Sequence, residues 1–125
     1  VIHTTDPDET GIDIYLGIGG APEGVLAAAA LRCIGGQMQG RLQLNTEEKV
    51  ARAAKMGISD PTKVYRMDEM AKGDVLFAAT GVTDGNLLAG VKFGREQIST
   101  HTIVMRSSSQ TVREIIARHQ DLDKF

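Results

Sequence analysis

Tryptophan is missing from this chain, and two tyrosines and three phenylalanines are its only aromatic side chains. So few rings, with no basic run threaded among them, leave little on which nucleic-acid bases could stack. A basic excess is missing too: 14 Lys and Arg stand against 16 Asp and Glu, for a net charge of −2. A general nucleic-acid or anionic-membrane surface needs the opposite balance, so neither is expected as a partner. A second cysteine is also lacking. The lone Cys33 cannot form an internal disulfide and points to a reducing compartment, the cytoplasm. It lies in an apolar helical pattern, where burial makes a thiol inert, so a core role is expected over a reactive one. Long hydrophobic runs are absent as well. Val25 to Leu31 is the longest strongly apolar stretch, far short of the ~20 residues that span a bilayer. No signal-peptide pattern is visible.

What is abundant is glycine, at 14 residues, beside 42% apolar and 24% charged residues. That is globular composition in which backbone turns carry unusual weight. A single domain of this length buries roughly two-thirds of its unfolded surface, enough for a core without staples. The chain starts on valine, in "VIHTT", which reads like a strand; an excised or processed piece of a longer protein is expected.

Along the chain, "GIDIYLGIG" (11–19) is rich in branched and aromatic residues and closed by glycines, the pattern of a buried strand. Pro22 suits the first turn of a helix. That helix runs through "EGVLAAAALRCI" to Ile34, stops at Gly35-Gly36, and is apolar nearly all round, implying burial on both sides. "QMQGRLQL" (37–44) alternates as a half-wet strand near a sheet edge. Asn45 with Glu48 forms a cap-box-like start for a helix ending at Gly57. "SDPTK" is a loop and "RMDEMAK" a short helix halted by Gly73. "VLFAATGV" (75–82) reads as a central strand, "TDGN" as a turn, and "LLAGVKFGREQIST" as irregular or a hairpin. "HTIVMRS" is a further buried strand. Ser109 then caps a last helix with Val112, Ile115 and Ile116 on one face, before the polar tail "QDLDKF". Strands alternating with helices indicate an α/β fold: a layered, mixed or mostly parallel sheet with flanking helices.

In open α/β sheets, ligands gather where strands end and helices begin. Three segments here suit that place: Gly17 to Glu23, "ATGVTDG" with Thr80, Thr83 and Asp84, and Arg106, Ser107 and on to Ser109. Their backbone N–H groups, hydroxyls and helix start suit the oxyanions of a phosphate-bearing ligand. The alternative is structural, since glycines at strand ends also serve tight turns and close packing. Nucleotide fingerprints fail. Pro22 stands where a G-x-G-x-x-G counted from Gly17 requires glycine, and no Lys-Ser or Lys-Thr completes a P-loop.

Glu23 has two readings. In a first helical turn it favours the helix dipole; as a hard oxygen donor beside phosphate-binding amides it is a ligand for magnesium or manganese. Such a site wants several oxygens. Asp6, Asp8 and Glu9 read more readily as a solvated turn, and Asp68-Glu69 as part of an exposed helix. His3, His101 and His119 show no metal-ligand spacing.

"TTDPDETGIDIYLGIGGAPEGVLAAAALRCIGGQMQGRL", "FAATGVTDG" and "IVMRSSS" together resemble the carboxyl-terminal half of bacterial class II fructose-1,6-bisphosphatases, from Val1 to about Arg113. The resemblance implies the layered α/β fold of the lithium-sensitive, metal-dependent sugar and inositol phosphatases. It implies hydrolysis of the 1-phosphate of fructose 1,6-bisphosphate with Mn²⁺ or Mg²⁺. The family's GGAPEG motif makes Glu23 a metal ligand and Gly20, with neighbouring Gly19, a substrate contact. Thr80, Asp84, Arg106 and Ser107 stand behind them as further candidate substrate contacts. Family chains are more than twice this long, with their other ligands upstream, so this polypeptide alone is expected to be inactive. Residues 1–119 form the expected α/β half and 120–125 a tail; the partners are the missing amino-terminal half, the sugar bisphosphate and a second copy of the chain. A non-catalytic phosphometabolite-binding or assembly module is the rival reading.

Overall fold

A computed structural model describes residues 1–121. At its amino end a 3-10 turn (Ile2–Thr5) leads into α1 (Pro7–Thr10), whose N-cap Asp6 accepts from the Glu9 N–H at 3.4 Å. Asp6, Asp8 and Glu9 are exposed here, as a solvated turn requires. Residues 11–19, expected as a buried strand, pair with no strand among the described residues, and Ile14, Tyr15, Leu16 and Ile18 are exposed, Leu16 at 85%. Their β-forming composition is real, but a strand needs a neighbour to take up its backbone hydrogen bonds.

The longest helix, α2 (Ala21–Ile34), has the expected bounds. Pro22 lies in its first turn, and Gly35 closes it in the left-handed region at φ 80°, where a Cβ would be strained. Burial on both sides holds only in its carboxyl-terminal half. Ala30 and Cys33 join the core on the sheet, and Ala28 and Leu31 are buried on another face, where the helix also meets the Met67–Met70 helix and the 3-10 turn. Val25 and Leu26, in the amino-terminal half, are exposed.

Of residues 37–44 only β1 (Gln39–Arg41) is strand, paired antiparallel with β2 (Val64–Arg66), Gly40 opposite Tyr65. Between them α3 (Glu47–Lys55) starts from Thr46, not Asn45; the Thr46 hydroxyl accepts from the Lys49 N–H at 3.3 Å. The short helix is α4 (Met67–Met70), where Glu69 caps the Arg66 N–H at 2.9 Å and meets Lys63 at 2.7 Å.

The larger sheet centres on β5 (Ile98–Arg106). On one side lie β3 (Leu76–Thr80), with Leu76 opposite Arg106 and Thr80 opposite Thr102, and β4 (Lys92–Phe93), forming the expected hairpin with the start of β5. On the other lies β6 (Thr111–His119), paired along its full length. Three expectations change. All strand pairs among the described residues are antiparallel, so the mixed α/β class stands without the mostly parallel sheet. β3 is an edge strand, bonded only to β5 among the described residues. The segment after Ser109 is β6, not a helix: Val112, Ile115 and Ile116 carry a helical spacing, but nine residues of β5 need a partner and β-branched side chains suit one.

One face of this sheet carries α2. Ala30 and Cys33 pack with Leu88, Ile103 and Met105, flanked by Val75, Phe77, Ala79 and Leu87. Met105 is fully buried, a placement worth ~1.5–3 kcal/mol over exposure. The Cys33 thiol donates to the Val75 carbonyl at 3.6 Å, and burial pushes it up from its ordinary pKa. The carboxyl end of α2 is thereby fixed to the start of β3. Among the described residues no helix is long and apolar enough to cross a membrane. Residues 122–125 of the expected polar tail lie outside the described residues.

Candidate active site

Gly20 is the N-cap of α2, extended at φ −69° and ψ 151°, and no side chain caps the helix. Glu23, exposed in the first turn, folds its carboxylate back over that cap, so a Cβ built on Gly20 would collide with it. Around Gly19 the space is open. The two residues singled out most strongly by their loop, Gly20 and Glu23, are thus neighbours, with a carboxylate and uncapped helix N–H groups at one spot. An N-terminus of this kind attracts anions through its dipole and its free donors.

The other candidates divide between opposite ends of the sheet. Thr80 ends β3, its hydroxyl 2.8 Å from that of Thr102. Beyond it the chain folds tightly: Gly81 donates to His101 O, Val91 to Val82 O and Gly85 to Leu88 O. Asp84 closes this loop, accepting from the Gly90 N–H at 2.9 Å and from Lys92 Nζ at 2.6 Å. The Lys92 ammonium, then the Gly90 N–H, hold its carboxyl below the usual range. A Cβ at Gly90 would press on the backbone of Thr83 and Asp84, which is why this position is glycine.

Arg106 and Ser107 lie roughly 13 Å away along β3, four strand residues from Thr80. There they surround Asp74, a residue the sequence did not single out. Arg106 Nη2 donates to Asp74 Oδ2 at 2.8 Å, while the Ser107 hydroxyl and the Ser108 N–H donate to Oδ1 at 3.0 and 3.2 Å. The Arg106 guanidinium, then Ser107, bring the Asp74 carboxyl down to about 2. The Val75 N–H in turn donates to Ser107 Oγ at 2.7 Å. This knot joins the start of β3 to the end of β5. Asp74 and Arg106 are 32 residues apart, and no spacing rule links them.

Glu23 precedes Cys33 by ten helical residues, about 15 Å of axis. Since Cys33 sits on Val75, Glu23 stands well away from the Asp74 knot. Antiparallel pairing explains the division: strands running in opposite directions send their carboxyl ends to opposite edges. Glu23 is chemically suited to a hard divalent cation, but as one donor. Among the described residues no three His, Cys, Asp or Glu side chains come together as a cage.

A mixed α/β domain with a glutamate in the first turn of a glycine-capped helix is therefore the class defined here. The chain belongs to the family described as bacterial fructose-1,6-bisphosphatase, glpX-encoded, which it matches over residues 1–119. Similar curated proteins include the D-fructose 1,6-bisphosphatase class 2/sedoheptulose 1,7-bisphosphatase of Synechococcus sp. (strain JA-3-3Ab), 47% identical over 88% of this chain and 35% of that protein. The proteins of the same name from Crocosphaera subtropica and Trichormus variabilis are 42% and 43% identical, over 93% and 88% of this chain and 38% and 36% of their own lengths. The chain thus spans little more than a third of the relatives it matches.

Proposed function

We propose that residues 1–119 are the carboxyl-terminal α/β part of a longer, cytoplasmic, metal-dependent sugar bisphosphatase, with residues 120–125 as a polar tail. The reaction is hydrolysis of the 1-phosphate of fructose 1,6-bisphosphate to fructose 6-phosphate and phosphate. The relatives' names make sedoheptulose 1,7-bisphosphate the second substrate to assay. What carries the reading is the Glu23 carboxylate seated over Gly20 at the start of α2, inside a segment that matches the family throughout.

Glu23 holds one corner of a Mn²⁺ or Mg²⁺ site whose other donors come from the remainder of the enzyme. When bound, the cation supplies charge neutralisation at the phosphoryl oxygens and a water of lowered pKa. This chain's own part is positional. The uncapped N–H groups of α2 are donors for phosphate oxygens, and Gly19 and Gly20, lacking Cβ atoms, let the ester approach the backbone. The buried far end of α2 keeps that constellation fixed, which is where positioning gains rate. Thr80 and Asp84 are secondary candidates; Arg106 and Ser107 are engaged by Asp74.

The test is Glu23→Gln in the full-length enzyme. Phosphate release should fall steeply and the manganese requirement should rise, with the unfolding midpoint unchanged. Undiminished activity at limiting manganese removes Glu23 from the site. A non-catalytic phosphometabolite-binding or assembly module is the second reading, favoured by the single carboxylate. Adding the missing remainder to this chain separates the two: restored turnover supports the enzyme part, and ligand binding without turnover supports the module.

A further inference from the structure

His101, on β5, is bonded on one side of its ring and unsatisfied on the other. Its Nδ1 accepts from the Ala89 N–H at 3.0 Å, and Ala89 belongs to the loop 81–91 that joins β3 to β4. An imidazole nitrogen that accepts carries no proton, so this contact selects the neutral ring with its hydrogen on Nε2. Nε2 is shielded from solvent and has no hydrogen-bond partner among the described residues, while Glu114 Oε2 of β6 stands 3.7 Å away. We propose that His101 is an acid-operated latch. Neutral, it holds loop 81–91 through Ala89; on taking a proton from solvent at Nδ1 it releases that N–H and turns to pair with Glu114.

The returning limb of the loop depends on this bond. A Cβ at Gly81 would strike the Ala89 carbonyl, so Ala89 is folded back over the end of β3. The bonds from Gly85 to Leu88, from Val91 to Val82, and from Gly90 and Lys92 to Asp84 close the loop on itself. The bond from Ala89 to His101 ties it to β5. Leu88, buried in the core beside it, keeps any release local.

The surrounding charges weigh the proton. Residues 99, 101 and 103 of β5 share a face, so Glu114, opposite Ile103, and Arg118, opposite Ser99, flank His101 from β6. Lys92 of β4, also opposite Ser99, is bound to Asp84 of the loop. β3 brings no titratable side chain, and Arg106, further along β5, is held by Asp74. The charged residues of α2 are Glu23 and Arg32, and neither bonds to the ring. An imidazolium thus gains at Nε2, from Glu114, what it gives up at Nδ1. Histidine is the side chain whose charge changes between pH 5 and 8.

Hydrogen exchange in the full-length enzyme, read by mass spectrometry on peptides spanning residues 86–92, tests this. After correction for intrinsic exchange, protection at pH 5.5 should be roughly tenfold below that at pH 8, the worth of one hydrogen bond. His101→Asn places an oxygen acceptor where Nδ1 stands and does not titrate in this range, so it should stay protected at both pH values. His101→Phe, with no acceptor, should be open at both. Glu114→Gln removes the charge that favours the imidazolium, so release should move to lower pH; a merely structural histidine would show no such movement. Wild-type protection that ignores pH, an Asn variant that opens in acid, or release from Glu114→Gln at the wild-type pH overturns the proposal. Should a His101 variant fail to fold, Glu114→Gln, at an exposed carboxylate, decides: release at lower pH supports the latch, and an unmoved midpoint refutes it.

Discussion

Replacing Leu31 and Leu26 by alanine, one at a time, tests the packing that fixes the candidate site. Both lie on α2, yet Leu31 is 1% exposed and Leu26 58%. Gly36 closes over Leu31 so tightly that a Cβ there would sit 2.5 Å from its Cδ2 and 2.9 Å from Thr5 Cγ2. The Gly36 N–H also donates to the Leu31 carbonyl at 3.0 Å, which holds that turn in place. Removing the isobutyl group therefore leaves a cavity that the surrounding backbone cannot collapse to fill, costing ~3 kcal/mol within a usual range of about 2–5. Helix propensity offsets little of this, since alanine and leucine differ by only a few tenths of a kcal/mol. Leu26→Ala should cost less than ~0.5 kcal/mol, as for surface positions generally. For a domain of this size, ~3 kcal/mol corresponds to a fall in Tm of about 10 °C, against under ~2 °C for the exposed site. Thermal unfolding followed by circular dichroism measures both. Equal losses at the two positions would show the amino-terminal half of α2 as covered as its carboxyl-terminal half, and the burial described above would be wrong.

Two further outcomes follow from the polar groups. Asp74 has a depressed folded-state pKa, so its contribution is present above the unfolded value of 3.8 and is lost as pH falls through about 2. Wild type and Asp74→Asn should therefore differ in Tm at neutral pH and converge toward pH 2, with added salt narrowing the gap; a gap unchanged at low pH would clear the Asp74 charge of any role. Cys33, buried and with its thiol pKa raised, should react with a thiol reagent only as fast as the chain unfolds, so rapid native-state labelling would contradict its place in the core.

Local chemistry was the legible part of this fold. Pro22 and Gly35 marked both ends of α2, and the hairpin before β5 was one of two readings of its segment, whereas α4 stops at Met70, short of Gly73. The failures share a cause: they concern what lies beside a segment, not what is in it. Residues 11–19 have strand composition without a pairing partner in the described chain. Val112, Ile115 and Ile116 fit either period, and only the length of β5 decides for strand. The site divides in the same way. Glu23 and Gly20 meet because they are three residues apart, whereas strand direction separates Arg106 and Ser107 from Thr80 and Asp84. Asp74, which organises one end of the sheet, could be found only in three dimensions.

Position 20 has a backbone any amino acid could adopt. What an added methyl takes away there is the room its neighbour's acid group occupies. That acid group is the free end of a flexible side chain, so a methyl at 20 would displace it from the cap at little cost to the backbone, and a change at 20 acts through where it leaves the acid of 23. Redesign of this loop has to treat the pair as one unit.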